Sequence, residues 1–188
     1  MGVATTIQGR LIRAGGVMRD REYRVREFCI RWHESIKQVR KYTGEPYWKH
    51  PEAVAAIVRT VPHDDDMVDA AYLHDVVEDT PCTLLTIENE FGAVVADYVW
   101  WLTDVSTSMD GNRAVRKQID RRHTAAAPAK AKTIKLADLI DNSRNIVARD
   151  PGFARVYLKE KRLLLDEALR GGDATLWKMA DDIVRAHL

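Results

Sequence analysis

The sequence has no uninterrupted apolar run that approaches the roughly 20 residues a transmembrane helix needs, and its first residues lack the apolar core of a signal peptide. It has two cysteines, Cys29 and Cys82, in a chain long enough to build a core without disulfides. The formal net charge of +1 argues against wholesale binding of nucleic acid. We therefore expect a cytoplasmic protein that binds neither membranes nor nucleic acid.

Helical periodicity dominates the sequence, and no convincing period-two segment bounded by turn residues interrupts it. A chain of 188 residues fits a single globular domain. Residues 1–19 are a weakly patterned lead-in, and the domain is expected to span 20–188. The predicted helices cover residues 20–41, 51–60, 66–79, 84–104 with a break near Gly92, 112–126, 129–147, 152–170 and 174–187. These segments predict an all-α, single-domain helical bundle.

The segment DAAYLHDVVEDT, residues 69–80, concentrates four ionisable side chains among apolar ones. At about 100° per residue, Ala70, Leu73 and Val77 form one stripe of a helix. The neighbouring arc of that helix carries the four ionisable residues: His74, Asp75, Glu78 and Asp79. Three carboxylates beside an imidazole repel one another and are costly to desolvate unless protons or a cation neutralise them. A bound metal ion is the economical explanation, although a single His-Asp doublet is more often structural.

Two further segments place polar side chains where a metal site needs them. In KLADLIDN, Asp138 and Asn142 lie one turn apart on a strongly apolar helix, and Asn145 continues their stripe. In YWKHPEAVAAIV, His50 precedes Pro51, which favours an extended backbone before the first turn of a helix. Each segment thus places one candidate metal ligand, Asp138 or His50, on a helix that packs against the core.

Together the predicted metal ligands are two imidazoles and two carboxylates: His50, His74, Asp75 and Asp138. Taken singly, each has a structural explanation, as a helix cap, a core histidine, a surface acid or a partner for Lys135. Taken together, they form a nitrogen and oxygen donor set suited to manganese, iron or zinc. The sequence therefore predicts a metal site between helices.

Three motifs carry a resemblance to a known family: RKYTGEPYWKHP, LHDVVEDT and KLADLIDNSRNI. Over about residues 38–147 the chain resembles the HD-domain metal-dependent phosphohydrolases. Within them it is most similar to the hydrolase domain of RelA/SpoT proteins and to the stand-alone small alarmone hydrolases related to the metazoan SpoT homologue. The H…HD…D pattern of the family falls on the four predicted ligands. The resemblance implies an all-α domain that uses Mn²⁺, or another divalent metal, to hydrolyse ppGpp and pppGpp to GDP or GTP and pyrophosphate.

The resemblance also implies roles for individual residues. Glu78 and Asp79 match the catalytic acidic pair of the family, in which Glu78 would orient water or take its proton and Asp79 would serve as general acid. Four residues match positions near the substrate: Arg40, Lys41, Asn142 and Arg144. The basic segment NRAVRKQIDRRH adds Arg116 and Lys117 as candidate pyrophosphate ligands, with an exposed basic helix as an equal alternative.

The chain departs from the family before its first motif, where the usual H-x-G-Q-x-R becomes SIKQVR. Ser35 stands for the histidine and Lys37 for the glycine, which leaves the nucleotide preference open. The alternatives are an HD phosphohydrolase that acts on another 3′-phosphorylated nucleotide or NADPH, and a non-catalytic alarmone sensor. A basic amino-terminal helix that contacts nucleic acid ranks last, because no recognition motif accompanies it. An oligomer is compatible with all of these readings.

Overall fold

The computed structural model describes residues 20–188 and, before them, the backbone of three short strands. These strands are Thr6–Ile7 (β1), Arg10–Arg13 (β2) and Gly16–Met18 (β3). They form an antiparallel sheet in the order β1-β2-β3, in which Leu11 lies opposite Met18. The other regular elements of the described chain are helices, which confirms the predicted all-α bundle. The small sheet lies in the predicted lead-in.

Helices α1 to α10 follow the sheet, with a 3-10 turn at Ser108–Asp110 between α6 and α7. Their bounds are Asp20–Ser35 (α1), Lys49–Val58 (α2), Asp65–Leu73 (α3), Val76–Asp79 (α4), Leu84–Phe91 (α5), Ala93–Leu102 (α6), Arg113–Ala126 (α7), Ala129–Arg149 (α8), Pro151–Glu167 (α9) and Ala174–His187 (α10). Side-chain oxygens that accept backbone N–H groups cap several of them: Asp64, Thr83, Asn112, Asp150 and Asp173. These caps satisfy amides that would otherwise lack partners at a helix start.

The helix α8 lies at the centre of the bundle and contacts α2, α3, α6, α9 and α10. Its buried side chains include Ile134, Leu136, Leu139 and Ile140. The helix α3 is buried along most of its length and packs on α1, α2 and α6 as well. Asp69 on α3 and Asp138 and Ser143 on α8 are polar side chains that are buried among the helices. Across the described residues, no helix is long and apolar enough to cross a membrane.

Two predicted helices end earlier than the sequence pattern indicates. The helix predicted over 20–41 ends at Ser35, and the chain then turns through Lys37, whose φ of 55° lies in the left-handed region. That conformation favours glycine, the residue that the H-x-G-Q-x-R pattern has at this position. The helix predicted over 66–79 was wrong as one element, because it breaks between Leu73 and Val76. The break places the His74-Asp75 doublet in a turn.

Candidate metal centre and its two flanking recesses

Four predicted ligands from three parts of the fold converge in the interior. His50 lies in the first turn of α2, His74 and Asp75 lie in the turn between α3 and α4, and Asp138 lies in the middle of α8. The Nε2 atom of His50 is 3.2 Å from Asp138 Oδ1 and 3.6 Å from Asp75 Oδ2. The Nε2 atom of His74 is 3.0 Å from Asp75 Oδ2 and 3.7 Å from Asp138 Oδ1. We call these four residues the metal cluster.

The outer nitrogen of each imidazole fixes how the ring is used. His74 Nδ1 lies 2.8 Å from the backbone oxygen of Ala71, which only an N–H can satisfy. His50 Nδ1 lies 2.7 Å from the carboxylate of Asp141. A neutral imidazole that donates from Nδ1 keeps a lone pair on Nε2. Both histidines thus direct an Nε2 lone pair into the cluster, the arrangement in which histidine binds a metal.

The residues fit a divalent cation. His74 Nε2 is fully buried. With the ring proton on Nδ1, its lone pair faces the carboxylate oxygen of Asp75 at 3.0 Å and has no hydrogen-bond donor among the described residues, a costly state for a polar atom. Ligand atoms of His50, His74 and Asp75 all lie within 4.8 Å of one another, and Asp138 adds a second carboxylate at their edge. Two imidazoles with two carboxylates are a donor set for Mn²⁺, Fe²⁺ or Zn²⁺. A cation bound here would give the buried Nε2 its missing partner.

The electrostatics of the cluster also call for positive charge. Burial disfavours the ionised form of Asp138, yet Lys135 and the two imidazoles outweigh it and hold the pKa of this carboxyl well below its usual value. Burial likewise opposes a charged His74, but Asp75 and Asp138 raise its pKa well above the usual value. Burial also opposes ionisation of the half-buried Asp75, but His74 and His50 hold its pKa below the usual value. Both carboxylates thus stay ionised and attract cationic charge. A divalent ion supplies that charge without protonating the rings.

A further layer of side chains holds the metal cluster in place. The hydroxyl of Tyr47 donates to Asp75 Oδ2 at 2.7 Å, and Asn142 Nδ2 donates to Asp138 Oδ1 at 2.6 Å. Asp141, which accepts from His50, also accepts from Arg40 at 2.9 Å. Such outer partners orient ligands and tune their basicity. Arg40 is thereby linked to the cluster through one carboxylate.

Two recesses open on either side of the metal cluster. The first, the large cleft, has a volume of about 180 Å³ and is lined by Tyr47, Asp75, Glu78, Asp104, Lys117, Asp120, Arg121, Thr124, Lys135, Asp138, Asn142, Glu160, Lys161 and Leu164. The second, the small recess, has a volume of about 130 Å³ and is lined by Arg40, Lys41, Tyr42, Thr43, Tyr47, His50, Asn142, Asn145 and Ile146. Tyr47 and Asn142 line both, so the cluster stands where the two meet. A ligand could therefore span both recesses past the cluster.

Glu78 and Asp79 occupy different surroundings although they are neighbours in α4. Glu78 lines the large cleft and accepts the backbone N–H of Asp104 at 3.1 Å. Asp79 accepts from the side-chain amide of Gln38 at 2.8 Å, outside the residues that line the cleft. Desolvation raises the pKa of both carboxyl groups, and the nearby Asp75 raises them further. Both side chains stay accessible to solvent.

The predicted substrate residues divide between the recesses and the outer surface. Arg40 and Lys41 line the small recess, Asn142 lines both recesses, and Lys117 lines the large cleft. Arg116 donates to the backbone oxygen of Gly111 at 2.7 Å, and Arg144 points to the sulfur of Met179 at 3.4 Å. The structure therefore brings four of these six residues to the recesses and leaves Arg116 and Arg144 outside them.

Sequence reasoning missed several residues of the site. Tyr47 and Asp141 hold ligands of the metal cluster, and Gln38 holds Asp79. His33 is a buried histidine next to the segment SIKQVR, in which this chain departs from the family pattern; its Nδ1 lies 2.6 Å from the side-chain oxygen of Gln38. The only sequence signal for any of these residues was that Tyr47 lies three positions before His50 in the motif RKYTGEPYWKHP. Gln38 and Asp79 are 41 positions apart, so no local pattern reveals their contact.

Comparison with known proteins agrees with this geometry. A family model described as HD domain matches residues 26–162. A guanosine-3′,5′-bis(diphosphate) 3′-pyrophosphohydrolase MESH1 from Drosophila melanogaster is 35% identical over 147 residues, which cover 74% of this chain and 80% of the relative. The MESH1 of Xenopus tropicalis is 34% identical over 146 residues, covering 73% and 78% of the two chains. These relatives match over most of both chains.

Solved structures and longer relatives extend the comparison. A structure described as a metazoan ortholog of SpoT that hydrolyzes ppGpp superposes with a TM-score of 0.79 at 29% identity, covering 93% of this chain and all of the other. A probable guanosine-3′,5′-bis(diphosphate) 3′-pyrophosphohydrolase from Synechocystis is 35% identical over 140 residues, or 73% of this chain. The chain spans only 18% of the length of that relative and of its Haemophilus influenzae counterpart.

Proposed function

Because the chain belongs to the HD domain family, we propose that it is a Mn²⁺-dependent phosphohydrolase that converts ppGpp and pppGpp to GDP or GTP and pyrophosphate. The observation that carries the proposal is the metal cluster, in which buried His74 Nε2 lacks a partner beside two ionised carboxylates. The similarity to MESH1 proteins over most of both chains supports the choice of substrate.

In this proposal the metal is held by His50, His74, Asp75 and Asp138. A divalent ion in such a site acts as a Lewis acid that activates water and offsets phosphate charge. Asp141 and the backbone oxygen of Ala71 keep both imidazoles in the tautomer that binds metal. The protein's contribution to the first step is thus a rigid set of ligands fixed before substrate arrives.

Glu78 is the residue proposed to orient the attacking water and accept its proton. It lines the large cleft beside Asp75, and its raised pKa brings it closer to the range useful for a general base. In the reaction the bond between ribose O3′ and phosphorus breaks, the water oxygen joins phosphorus, and O3′ takes a proton. Asp79, whose pKa is also raised, is the proposed donor of that proton.

The two recesses supply sites for the two ends of a nucleotide. We assign the nucleoside to the small recess, where the Arg40 guanidinium is able to stack on a purine and Lys41 is exposed to meet a phosphate. Lys117 and Asn142 face the large cleft and are assigned to phosphate and ribose oxygens. Arg116 and Arg144 are the weaker members of the predicted set, because each side chain has another partner outside the recesses.

The test is pyrophosphate release from ppGpp by metal-stripped protein to which Mn²⁺ is added back. We expect GDP and pyrophosphate from the wild type and neither product from Asp75→Ala. Glu78→Gln should lose turnover while it still binds ppGpp, and Glu88→Gln, an exposed glutamate on α5, should behave as wild type. No turnover of ppGpp by metal-loaded protein would contradict the proposal. Turnover of NADPH or of another 3′-phosphorylated nucleotide instead would assign the alternative substrate.

If Glu78→Gln binds ppGpp as tightly as the wild type and neither protein turns over any nucleotide, the protein is a sensor. A pure binder has no use for a carboxylate poised beside a metal site. The position of Glu78 in the large cleft is therefore the feature that favours the enzyme over the sensor.

A further inference from the structure

Four cations line the large cleft, and three of them are paired with acids. Lys117 Nζ lies 2.7 Å from Asp104, and Arg121 lies 2.9 Å from Glu167. Lys135 Nζ lies 3.6 Å from Asp138 and donates to the backbone oxygen of Leu102 at 3.1 Å. Each of these three side chains already has a partner within the protein. Of the four cations that line the large cleft, therefore, only one is without an ion-pair or hydrogen-bond partner among the described residues.

Lys161 is the fourth cation, and its ammonium has neither a hydrogen bond nor an ion pair with any residue that the structure describes. It lies on α9 and is partly buried where it lines the cleft. Its Nζ atom lies over the ring of Tyr157, 4.9 Å from the ring centroid. Burial lowers the pKa of Lys161, and the neighbouring Lys135 and Lys117 lower it further against the opposing pull of Asp138. The Lys161 ammonium thus feels Asp138 and Asp104 at longer range but forms no ion pair with a residue that the structure describes.

A partly buried ammonium beside two other lysines is costly for the fold to keep. The contact with the Tyr157 ring offsets only part of this cost, since cation–π contacts are modest at accessible sites. The Glu160 carboxylate next in sequence offers no relief, because it is held by the guanidinium of Arg113 at 2.7 Å. An arrangement of this kind is relieved when an anion enters the cleft.

We infer that Lys161 binds the phosphoryl end of the substrate, namely the pyrophosphate group that leaves. This inference rests on the proposed function, and it assigns a ligand to a residue that none of the motifs contains. The small recess, on the other side of the metal cluster, holds the nucleoside in that scheme. The substrate group that enters the large cleft is then the 3′-pyrophosphate, which carries more negative charge than the nucleoside. An ammonium meets phosphate oxygens as a point charge from a flexible stem.

The experiment is a calorimetric titration of the Mn²⁺-loaded protein with inorganic pyrophosphate, with equal Mn²⁺ in both solutions. It compares the wild type with Lys161→Met, which keeps the length of the side chain and removes its charge. We expect affinity for pyrophosphate to fall by about 10- to 100-fold, the value of hydrogen bonds to a charged group. Lys161→Arg should restore most of the affinity. Lys159→Met, an exposed lysine on the same helix, is the matched control and should bind as wild type.

Thermal unfolding without ligand separates binding from a structural role. If Lys161 serves the ligand, Lys161→Met unfolds at the same temperature as the wild type or higher, because an unpaired charge has been removed. A lower unfolding temperature together with unchanged pyrophosphate affinity would overturn the inference. So would an equal loss of affinity in Lys159→Met, which would point to net charge alone.

The titration needs no turnover, so it is independent of the proposed reaction. If ppGpp is not hydrolysed but pyrophosphate binding still depends on Lys161, the reaction is wrong and the anion site is retained. If ppGpp is hydrolysed and Lys161→Met binds pyrophosphate as the wild type does, the anion site is wrong and the reaction is retained.

Discussion

Replacement of Asp141 by asparagine tests whether the outer carboxylate of the site controls the metal. Asp141 Oδ2 lies 2.7 Å from His50 Nδ1 and 2.9 Å from Arg40, so a single oxygen serves both groups. Asparagine keeps the size of the side chain and can still accept one hydrogen bond, but it removes the negative charge. The imidazole becomes less basic, and Arg40 is left without a counterion.

Substitution of such an outer partner typically lowers metal affinity by about 10- to 100-fold, or roughly 1.4 to 2.7 kcal/mol. The Asp141 and Arg40 side chains are only 15% and 13% exposed, so solvent screens their interaction little, and we expect the upper part of this range. The assay is titration of metal-stripped protein with Mn²⁺ in competition with a chelator. Asp182→Asn, an exposed aspartate that pairs with Lys178 on α10, removes the same charge far from the cluster and should bind as wild type. Equal Mn²⁺ affinity in Asp141→Asn and wild type would refute the reasoning.

Three further predictions concern other contacts of the fold and the site. Tyr47→Phe removes the 2.7 Å hydrogen bond to a metal-cluster carboxylate and should weaken Mn²⁺ binding about tenfold in the same titration; unchanged binding would make that bond dispensable. Gly172→Ala should lower stability to urea by about 1–3 kcal/mol, since its Cβ would lie 2.8 Å from a leucine methyl and 3.1 Å from backbone. Gly171→Ala, whose Cβ meets only a flexible lysine at 3.5 Å, is its control, and equal stability of the two variants would contradict the packing argument. Burial raises the pKa of Asp69 to about 6 from 3.8 against the opposing effect of its ion pair with Arg21, so the folded protein binds this proton more tightly than the unfolded chain does. The free energy of unfolding should therefore fall by about 2 kcal/mol as pH rises from 4 to 6, and urea titrations of Asp69→Asn should lack that fall.

The four predicted ligands converge because helical packing follows the same apolar pattern that predicts the helices. His50, His74 and Asp138 lie on segments whose apolar faces bury against one another, since α2, α3 and α8 are in mutual contact. Polar residues on the margins of those faces must then meet inside the bundle. The residue types and their positions on the faces predict that these side chains approach one another, but they do not predict the turn at His74 and Asp75.

The outer layer of the site could not be predicted in this way. Asp141 reaches His50 across 91 positions and Arg40 across 101 positions of the chain. Neither contact leaves a local signature, because an acid three residues after Asp138 reads as an ordinary polar position of α8. Lys161 likewise reads as one more lysine on an amphipathic helix. That the Lys161 ammonium has no ion-pair partner becomes visible only in the folded structure, where α7, α8 and α9 line one cleft.

The end of α1 at Ser35 has a different physical origin. The six residues that follow, Ile36 to Lys41, include good helix formers, so propensity extends the predicted helix through them. Tertiary contacts override that preference, because His33 and Asp79 both bond to the side chain of Gln38 and draw the chain back over the site. A left-handed residue at Lys37 makes the turn.

The break after Leu73 connects this fold to its chemistry. In an uninterrupted helix consecutive side chains diverge by about 100°, so His74 and Asp75 would not both face one point. Asp75 instead has φ −100° and ψ −6°, in the bridge region where many active-site residues lie. Its carboxylate lies 3.0 Å from His74 Nε2, and α4, which begins at Val76, carries Glu78 at the large cleft. Neither residue of the turn is glycine or proline; the His74 ring donates to the backbone oxygen of Ala71, and the Asp75 carboxylate accepts from the hydroxyl of Tyr47. The turn therefore allows His74 and Asp75, although adjacent in the sequence, to face the same cation site. The helix that follows it carries Glu78, the residue that we assign as general base.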